Sequence, residues 1–434
     1  MYYKSIKTKY LLDFFTRRTA ALFIVVLLIF TSSQARAADH DAANKTWVAT
    51  WGASPTAFQP LDNSDSPGPF ENQTVRQILR ISAGGEKLRI RFSNEIGDTP
   101  LKIGAASVAI VDKESSIKPE TLRKLTFGGN SSFTIPPGAP ALSDPVELQT
   151  NALSTLAVSI YLPEKTKAGT VHMGRIACVS TPGDFTTSKE LPEAVKTTTM
   201  AFLTGIYITT PKETGVIVAL GDSITDGTAS TPYTFNSWPD HLAERLVKRT
   251  DGNRDMAVIN QGIAGNQLLR NGAGSSILSR FDQDVLSTPG LSHIIVLIGI
   301  NDIGSGGMQL PGATGPALAM RTPEDLIAGY RQLIARVHSF SPLIKIYGAT
   351  LMPFEGMTIF PEYYSPEKNK IREAVNQWIR TSGEFDAVID FEKTIQDPQN
   401  PTMMIKEYDS GDKIHPNDAG YRKMANSIDL TLFK

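Results

Sequence analysis

Apolar and polar residues alternate with a period of two along the first half of the chain, from about residue 47 to residue 207. The alternation is regular in Lys87–Ser93 and in Leu156–Leu162, as expected of strands with one face in a core. The turn-forming stretch Ala83–Glu86 lies between Gln77–Ser82 and Lys87–Ser93 and predicts a hairpin. Because no convincing helix of three turns precedes residue 236, we expect an antiparallel β-sandwich or jelly roll.

The pattern changes after Pro211, where short continuous apolar runs alternate with amphipathic stretches of helical period. Uninterrupted apolar runs indicate strands with both faces buried, as in a parallel sheet. This alternation predicts a flavodoxin-like, doubly wound α/β fold with three α/β/α layers around a five-stranded parallel sheet. The predicted strands are Val216–Leu220, Ala257–Asn260, Ile294–Gly299, Ile344–Thr350 and Ala387–Asp390.

Helix start signals stand between these runs. Thr322–Pro323 and Ser365–Pro366 are each followed by acidic residues, an arrangement typical of an N-cap and first helical turn. Ser237, with Asp240 three residues later, is a further N-cap signature. Gly383 is placed to end the helix that begins after Ser365.

Composition and length narrow the class of protein. The chain has 434 residues, 41% hydrophobic and 20% charged, which excludes disordered, collagen-like and multi-span membrane proteins. One hydrophobic core rarely organises this length, so we expect two domains, a β-rich domain over 38–210 and an α/β domain over 211–434. A net charge of −1 provides no basic surface for nucleic acid. The single cysteine, Cys178, has no disulfide partner and no further ligands at metal spacing.

The N-terminus has the order of a secretory signal peptide. A basic stretch over residues 1–18 precedes the uncharged apolar run Ala20–Phe30 and the small-residue pattern Ala35–Ala37. We expect cleavage after Ala37 and a secreted or periplasmic protein without stable membrane insertion, while retention as an N-terminal anchor stays open. Removal of residues 1–37 takes away six basic residues and one acidic residue, so 37 basic and 43 acidic residues give the mature chain a charge of −6.

Ligands of doubly wound folds bind beyond the carboxyl ends of the strands, so polar residues at those ends are the candidates for chemistry. Ser223 follows the first predicted strand within Gly221–Gly227, where glycines permit a tight turn into a helix. A nucleophile would be displayed at such a position, although a serine there also suits a turn or an N-cap.

Further candidates follow later strands. Gly265 can offer an unobstructed backbone N–H, and Asn301 can offer an amide N–H, which are the donors that build an oxyanion hole. Both residue types also serve ordinary loop geometry. Of the six histidines, only His415 stands in a loop at a predicted sheet end with an acid, Asp412, three residues away. Such a loop can hold a carboxylate against one imidazole nitrogen while the other faces a nucleophile, or it can simply precede the helix cap Asn417.

Taken together in this order, the blocks resemble the SGNH hydrolase family, also called GDSL lipases or acylhydrolases. The matching stretches are Gly221-Asp222-Ser223-Ile224, Gly262-x-x-Gly265-Asn266, Gly299-x-Asn301-Asp302 and Asp412-x-x-His415-Pro416. The resemblance covers about residues 215 to 430. Upstream, Trp47–Ser54 resembles the start of exported bacterial members that carry a β-sandwich ahead of the catalytic domain.

The resemblance implies a serine esterase. It makes Ser223 the nucleophile, His415 the base and Asp412 the partner that orients the base. The N–H groups of Ser223 and Gly265 and the amide of Asn301 would then form the oxyanion hole. Asp222 and Asp302 would support the loops, and neither a metal nor an organic cofactor is required.

The substrate expected from this reading is a small-molecule or polysaccharide ester, with short-chain O-acetyl esters on carbohydrates favoured. Aromatic residues at Trp47, Trp51 and Phe58 suit sugar stacking, although they suit packing between domains equally well. A lysophospholipase or a broad short-chain arylesterase is the alternative within hydrolases. A flavin-binding protein or a catalytically inactive glycan-binding protein is the alternative from another class. The sequence leaves acyl chain length and oligomeric state open.

Overall fold

The computed structural model describes residues 46–57, 68–210, 212–309 and 315–434. Trp47–Lys434 forms one compact unit. The expected signal peptide, residues 1–37, and Phe58 lie outside the described residues. The division into two domains after residue 210 stays a prediction, although the type of sheet changes at that point.

The β-rich part contains fourteen strands within the described residues, all paired antiparallel. They are β1 (Trp47–Gly52), β2 (Gln73–Arg80), β3 (Gly85–Ser93), β4 (Leu101–Ile103), β5 (Ala105–Lys113), β6 (Ser116–Ile117), β7 (Arg123–Lys124), β8 (Phe133–Ile135), β9 (Pro140–Leu142), β10 (Val146–Thr150), β11 (Thr155–Leu162), β12 (Val171–Pro182), β13 (Val195–Ala201) and β14 (Leu203–Thr209). One 3₁₀ turn, Pro119–Thr121, lies between β6 and β7.

Two large antiparallel sheets share one apolar core. One sheet has the order β1-β14-β3-β10 with β9 also on β3, and the other has the order β13-β12-β2-β11-β5-β6 with β7 also on β5. In the first sheet Ile90 of β3 pairs with Ile206 of β14, and in the second Val158 of β11 pairs with Val108 of β5. All four side chains are fully buried in the same cluster. The antiparallel β-rich architecture predicted for this part is confirmed.

The predicted hairpin around Ala83–Glu86 is wrong. The strand before it, β2, belongs to the seven-stranded sheet, whereas β3 belongs to the five-stranded sheet. The chain passes from one sheet to the other at Ala83, where it is bound to Thr50, the residue of β1 beside it. The Thr50 hydroxyl accepts from the Ala83 N–H and donates to the Ala83 carbonyl, both at 2.8 Å. Alternation of period two identifies strands but does not identify their partners.

The α/β part begins with the strand that follows residue 213. Its strands are β15 (Thr214–Gly221), β16 (Asp255–Gly262), β17 (Leu291–Leu297), β18 (Lys345–Ala349) and β19 (Ala387–Ile389). Its helices are α1 (Ser223–Asp226), α2 (Trp238–Val247), α3 (Ile277–Phe281), α4 (Ile300–Gly304), α5 (Pro323–Phe340), α6 (Pro366–Thr381), α7 (Phe391–Ile395) and α8 (Asp418–Ser427). A π turn at Asp282–Leu286 and 3₁₀ turns at Pro361–Tyr363 and Leu430–Leu432 complete it.

All five predicted strands are present, with ends within three residues of those expected. The predicted N-caps are present as well: the side chain of Thr322 accepts from the N–H of Asp325, Ser237 forms the same reciprocal box with Asp240, and Ser365 caps α6. Three or four residues fix each of these ends locally, and this is why the sequence predicts them well.

The parallel sheet has the order β16-β15-β17-β18-β19, which is the flavodoxin-like order with the first strand between the second and third. Helices α2, α7 and α8 pack together in one layer, and α3, α4, α5 and α6 form the other. The predicted doubly wound fold is confirmed. The sequence blocks that contain Ser223, Gly265 and Asn301 follow the carboxyl ends of β15, β16 and β17. They therefore lie at the same edge of the sheet.

Strand β1 connects the β-rich part with the parallel sheet. Its Ala49 N–H donates to the Pro289 carbonyl at 2.9 Å, and the side chain of Val48 packs beside Gly290 and Val216. Trp51 packs against the common core, and the ring of Trp47 lies under the Arg89 guanidinium at 4.7 Å.

No helix in the described ranges is long and apolar enough to cross a membrane.

Candidate active site

A tight turn places Ser223 at the carboxyl end of β15. The strand ends at Gly221, where an added Cβ would lie 2.4 Å from the Leu297 carbonyl oxygen, so only glycine fits. Asp222 caps helix α1, its Oδ1 accepting from the Ile224 N–H at 3.0 Å. Ser223 is therefore the first helical residue, 6% exposed, and its own N–H has no intrahelical acceptor.

A compact loop before α8 presents His415. Asp409 Oδ1 accepts from the N–H groups of Gly411 and Lys413, and Lys413 takes a left-handed backbone conformation with φ of +70°. Asp412 Oδ1 then accepts from the N–H groups of Ile414 at 3.0 Å and His415 at 2.8 Å. These turns bend the chain so that one Asp412 oxygen remains for the His415 ring.

The structure brings Ser223, His415 and Asp412 into one hydrogen-bonded chain. Nε2 of His415 lies 2.8 Å from the Ser223 Oγ, and Nδ1 lies 2.6 Å from the Asp412 Oδ2. Burial alone would raise the pKa of Asp412, but hydrogen bonds and charge from His415, with the N–H of Ile414, hold that pKa below its usual value. A carboxylate that stays ionised keeps the proton of the ring on Nδ1 and leaves Nε2 to accept the serine proton.

Three donors predicted for an oxyanion hole lie on neighbouring turns. The Ile263 N–H donates to the Gly221 carbonyl at 3.2 Å, which joins the turn after β16 to the turn before Ser223. Gly265, two residues on, has φ of +74°. In the part of the chain that the structure describes, the N–H groups of Ser223 and Gly265 have no hydrogen-bond acceptor.

The side-chain amide of Asn301, on α4, is held at both ends. Its Nδ2 donates to the Asn266 carbonyl at 2.9 Å, and its Oδ1 accepts from the Tyr363 hydroxyl at 2.5 Å. One amide N–H is left over for a further acceptor. Burial raises the pKa of Tyr363 well above its usual value, so its hydroxyl remains a donor.

The two supporting carboxyls predicted from the sequence are buried at the same edge. Asp302 accepts from the N–H groups of Leu268 at 2.7 Å and Leu269 at 3.0 Å, which ties α4 to the chain beyond Gly265. Burial raises the pKa of Asp302 to about 6 and that of Asp222 to about 7. The second oxygen of Asp222 is buried without a hydrogen-bond partner in the described structure.

Two residues that organise the site were missed in the sequence. Tyr363 fixes Asn301 from a 3₁₀ turn 62 residues away. Arg280 is buried and donates to the Asn266 side chain at 3.0 Å, the Gln261 carbonyl at 2.9 Å and the Gly221 carbonyl at 3.2 Å. Neither residue stands at a strand end or in a motif, so no local signal marks it.

Within the described ranges, no group of three or more His, Cys, Asp and Glu side chains is arranged to hold a metal ion.

Solved structures that match the chain include a carbohydrate acetylesterase from Sinorhizobium meliloti, with 18% identity over 50% of this chain and 98% of that one and a TM-score of 0.38. An aryl esterase from M. smegmatis matches with 18% identity over 51% of this chain and all of that one, TM-score 0.38. A lipolytic G-D-S-L family member from Veillonella parvula matches with 18% identity over 49% of this chain and 94% of that one, TM-score 0.33. No match was found among curated proteins.

Residues 219–423 match the model of the GDSL-like lipase/acylhydrolase family. The matched segment begins in β15, just before Ser223, and ends in α8, just after His415. It therefore holds all four blocks identified in the sequence. Residues 219–423 therefore form a domain of the GDSL-like lipase/acylhydrolase type, a family of carboxylic ester hydrolases.

Proposed function

We propose that the protein is a serine esterase that works through an acyl-enzyme on Ser223. One observation carries the proposal: His415 contacts the Ser223 hydroxyl at 2.8 Å through one ring nitrogen and the Asp412 carboxylate at 2.6 Å through the other. This arrangement suits a nucleophile, a general base and a group that orients the base.

In the first half of the reaction, His415 Nε2 takes the proton of the Ser223 hydroxyl while Oγ attacks the ester carbonyl carbon. The tetrahedral intermediate collapses, its carbon–oxygen bond to the alcohol breaks, and the proton on Nε2 passes to the leaving alcohol. In the second half, water gives a proton to Nε2 and attacks the acyl-enzyme, and Ser223 recovers its proton as the acid leaves.

The negative oxygen formed in each half would be stabilised by the N–H groups of Ser223 and Gly265 and the free amide hydrogen of Asn301. The Tyr363 hydroxyl and the Asn266 carbonyl hold that amide before substrate arrives. Donors that are already oriented need no reorganisation during the reaction, and this makes them effective.

The proposed substrates are short-chain O-acetyl esters on carbohydrates. Ser223 and His415 are 6% and 7% exposed, and we expect a nucleophile this deeply buried to react best with small acyl groups. Polar and aromatic side chains lie nearby: Arg270 and Gln267 contact Ser305 beside Asn301, and Phe360, 38% exposed, follows Thr358, whose N–H donates to the Asp412 carbonyl. Polar and aromatic side chains of this kind suit a hydroxylated alcohol portion.

We further propose that the enzyme acts outside the cytoplasm, after cleavage behind Ala37. The basic stretch, apolar run and small-residue pattern of residues 1–37 support export. Edman sequencing of the protein recovered from a culture would test this, since a mature chain starting at Ala38 is expected and an intact Met1 would refute cleavage.

The nucleophile is tested with Ser223→Ala. We expect the variant to lose at least about 10³-fold in kcat on p-nitrophenyl acetate and to show no labelling by a fluorophosphonate probe. Ser275→Ala is a matched control, because Ser275 contacts Asn266 only through its backbone carbonyl, which the substitution keeps. This variant should hydrolyse the ester and be labelled as the wild type is. Near-normal hydrolysis by Ser223→Ala would remove the proposal.

Substrate choice is tested by a panel of acetylated polysaccharide, p-nitrophenyl acetate, p-nitrophenyl octanoate and a lysophospholipid. We expect release of acetate from the polysaccharide, and kcat/KM for the acetyl ester at least about tenfold above that for the octanoyl ester. Preference for the lysophospholipid would establish a lysophospholipase instead. Rapid turnover of the aryl ester without any release of acetate from polysaccharide would establish an arylesterase.

A further inference from the structure

A histidine from the β-rich part contacts the helix that carries Ser223. His172, on β12, places Nε2 3.1 Å from the Oδ1 of Asp226 and Nδ1 2.8 Å from the Ser54 carbonyl. Asp226 is the last residue of α1, three positions after Ser223. All three contacting residues are buried. The contact therefore joins two distant parts of the chain directly behind the proposed nucleophile.

The surroundings of the His172 ring show where its protons lie. A carbonyl can only accept a hydrogen bond, so the contact with Ser54 requires a proton on Nδ1. The contact between Nε2 and the Asp226 Oδ1 is a hydrogen bond whose proton is held by one of these two atoms. His172 and Asp226 thus form a buried hydrogen-bonded pair, with 3.1 Å between Nε2 and Oδ1.

Helix α1 has little of its own to fix its direction. It has four residues, and its internal backbone bonds are those from Asp226 to Asp222 and from Gly227 to Ser223. On one side it lies against β16, where Asn260 Nδ2 donates to the Thr225 carbonyl at 2.8 Å. On the side of the β-rich part, His172 holds its last residue. External contacts therefore determine the direction in which the Ser223 side chain points.

The same network reaches the proposed oxyanion hole. The Ser54 hydroxyl donates to Gln261 Oε1 at 2.7 Å and lies 2.6 Å from Nη1 of Arg280, which also pairs with Asp284 at 2.9 Å. Arg280 in turn donates to the side chain of Asn266, whose carbonyl holds Asn301. Ser54, which follows β1, and His172, on β12, thus belong to a network that reaches the turns carrying the proposed oxyanion donors.

We propose that His172 and Asp226 are positioning residues of the esterase, and that the β-rich part completes the active site by holding α1 in its reactive direction. The proposal rests on the proposed role of Ser223. His172 touches no reacting atom; it acts through Asp226 and the helix. Loss of its contact with Asp226 lets the serine hydroxyl turn away from the His415 ring and the oxyanion donors, which lowers turnover more than substrate binding.

Two replacements of His172 separate its two contacts. In His172→Asn the amide nitrogen stands where Nδ1 was, so the bond to Ser54 is kept and the bond to Asp226 is lost. In His172→Gln the amide nitrogen reaches the place of Nε2, so the bond to Asp226 is kept and the bond to Ser54 is lost. We expect kcat on p-nitrophenyl acetate to fall about 10- to 10²-fold in His172→Asn and to recover to within about threefold of the wild type in His172→Gln, with KM changed less than about twofold in both.

A matched control removes another contact between the same two parts of the chain. Arg80, on β2, donates to Glu244 on α2 at 2.8 Å, away from α1. Arg80→Gln should lower the melting temperature while leaving kcat unchanged. If His172→Asn keeps the wild-type kcat, or if Arg80→Gln lowers kcat as much as His172→Asn does, the positioning role is refuted.

Two further measurements keep the outcomes distinct. Should His172→Asn fail to fold, Asp226→Asn changes the pair from the other side, and we expect a lower kcat with an unchanged KM; a folded Asp226→Asn protein with wild-type kcat refutes the proposal. Wild-type protein and Ser223→Ala are assayed in parallel. Absence of ester hydrolysis by the wild type would contradict the proposed function itself, whereas wild-type activity with insensitive His172 variants contradicts only the positioning role.

Discussion

At the scale of single residues, Asn301 shows how a side chain is prepared for its proposed task. Its amide oxygen faces the Tyr363 hydroxyl and its nitrogen faces the Asn266 carbonyl, so the amide has only one orientation that satisfies both. A flipped amide would place its oxygen against the Asn266 carbonyl, where two acceptors would meet. The orientation is therefore fixed before any substrate binds.

Replacement of Asn301 by alanine tests its role as a donor. We expect kcat on p-nitrophenyl acetate to fall about 10²- to 10³-fold with little change in KM, because the lost hydrogen bond forms mainly in the transition state. Steady-state kinetics would measure this. A loss of less than about fivefold would contradict the assignment. Thr322→Ala, which removes the N-cap of α5, provides a control for general loss of stability.

Asp222 carries an unusual cost in the folded state. Burial raises its pKa to about 7, and its second oxygen has no partner in the described structure. An unfolded aspartate has a pKa of about 4, so between about pH 4 and 7 the folded protein binds a proton that the unfolded chain does not. Stability from this group is therefore present at low pH and is lost as the pH rises through about 7.

Asp222→Asn should remove this dependence on pH. The free energy of unfolding measures stability. We expect the difference in this quantity, variant minus wild type, to be about 1–3 kcal/mol larger at pH 8 than at pH 5, because only the wild type loses stability over this range. Asp412 contributes no slope in this window because its pKa is lowered and it is ionised in both states. Urea unfolding at both pH values would measure the difference, and equal differences at pH 5 and pH 8 would contradict the expectation.

At the scale of elements, packing between α4 and the 3₁₀ turn Pro361–Tyr363 determines where Asn301 stands. The ring of Tyr363 lies against Gly304, at the end of α4. Lys368 of α6 is buried and donates to the carbonyls of Gly304 and Glu362, both at 2.7 Å, so it holds the two elements together. The Tyr363 hydroxyl can reach Asn301 only because the ring comes this close.

Gly304→Ala tests that packing. An added Cβ would lie 2.0 Å from a Tyr363 ring carbon, so the ring must move away and release Asn301. We expect a loss of stability of about 1–3 kcal/mol together with a lower kcat. Gly315→Ala is the control, since a Cβ there meets no atom within 4 Å, and it should change neither quantity. Unchanged kcat in Gly304→Ala would show that the elements adjust without disturbing Asn301.

At the scale of the whole molecule, one apolar core runs from the β-rich part into the α/β part. Val48 of β1, Phe92 of β3 and Val216 of β15 are all buried within the same cluster. Polar contacts cross the same boundary at Arg80, which pairs with Glu244, and at His172. Separation of the two parts would expose the apolar side chains of this shared core to water, which is unfavourable. Neither part is therefore expected to be stable without the other.

A single unfolding transition is the expected consequence. Calorimetry of the chain from residue 38 should give one peak, and loss of ester hydrolysis should coincide with loss of tryptophan fluorescence, because Trp47 and Trp51 lie in one part and Trp238 and Trp378 in the other. A fragment from residue 212 onward should be aggregated or inactive. Two separate transitions, or an active fragment, would show that the parts are independent domains.

The amino-acid sequence by itself determined the features that depend on neighbouring residues. Runs such as Val216–Leu220 are apolar on both faces, and caps such as Thr322 act within one helical turn, so strands, helices and the parallel sheet were predictable. The candidate residues at strand ends followed from the fold class and from the resemblance, because the carboxyl ends of parallel strands meet at one edge.

Only the tertiary structure decided which distant segments meet. The partners of β2 and β3 depend on the crossing at Thr50, and the contacts of Tyr363, Arg280 and His172 with the site span between 14 and 62 residues of sequence. A period in the sequence reports which face of an element is buried, but many pairings satisfy the same period. Packing selects one of them, since buried donors and acceptors must find partners and side chains must fill the core.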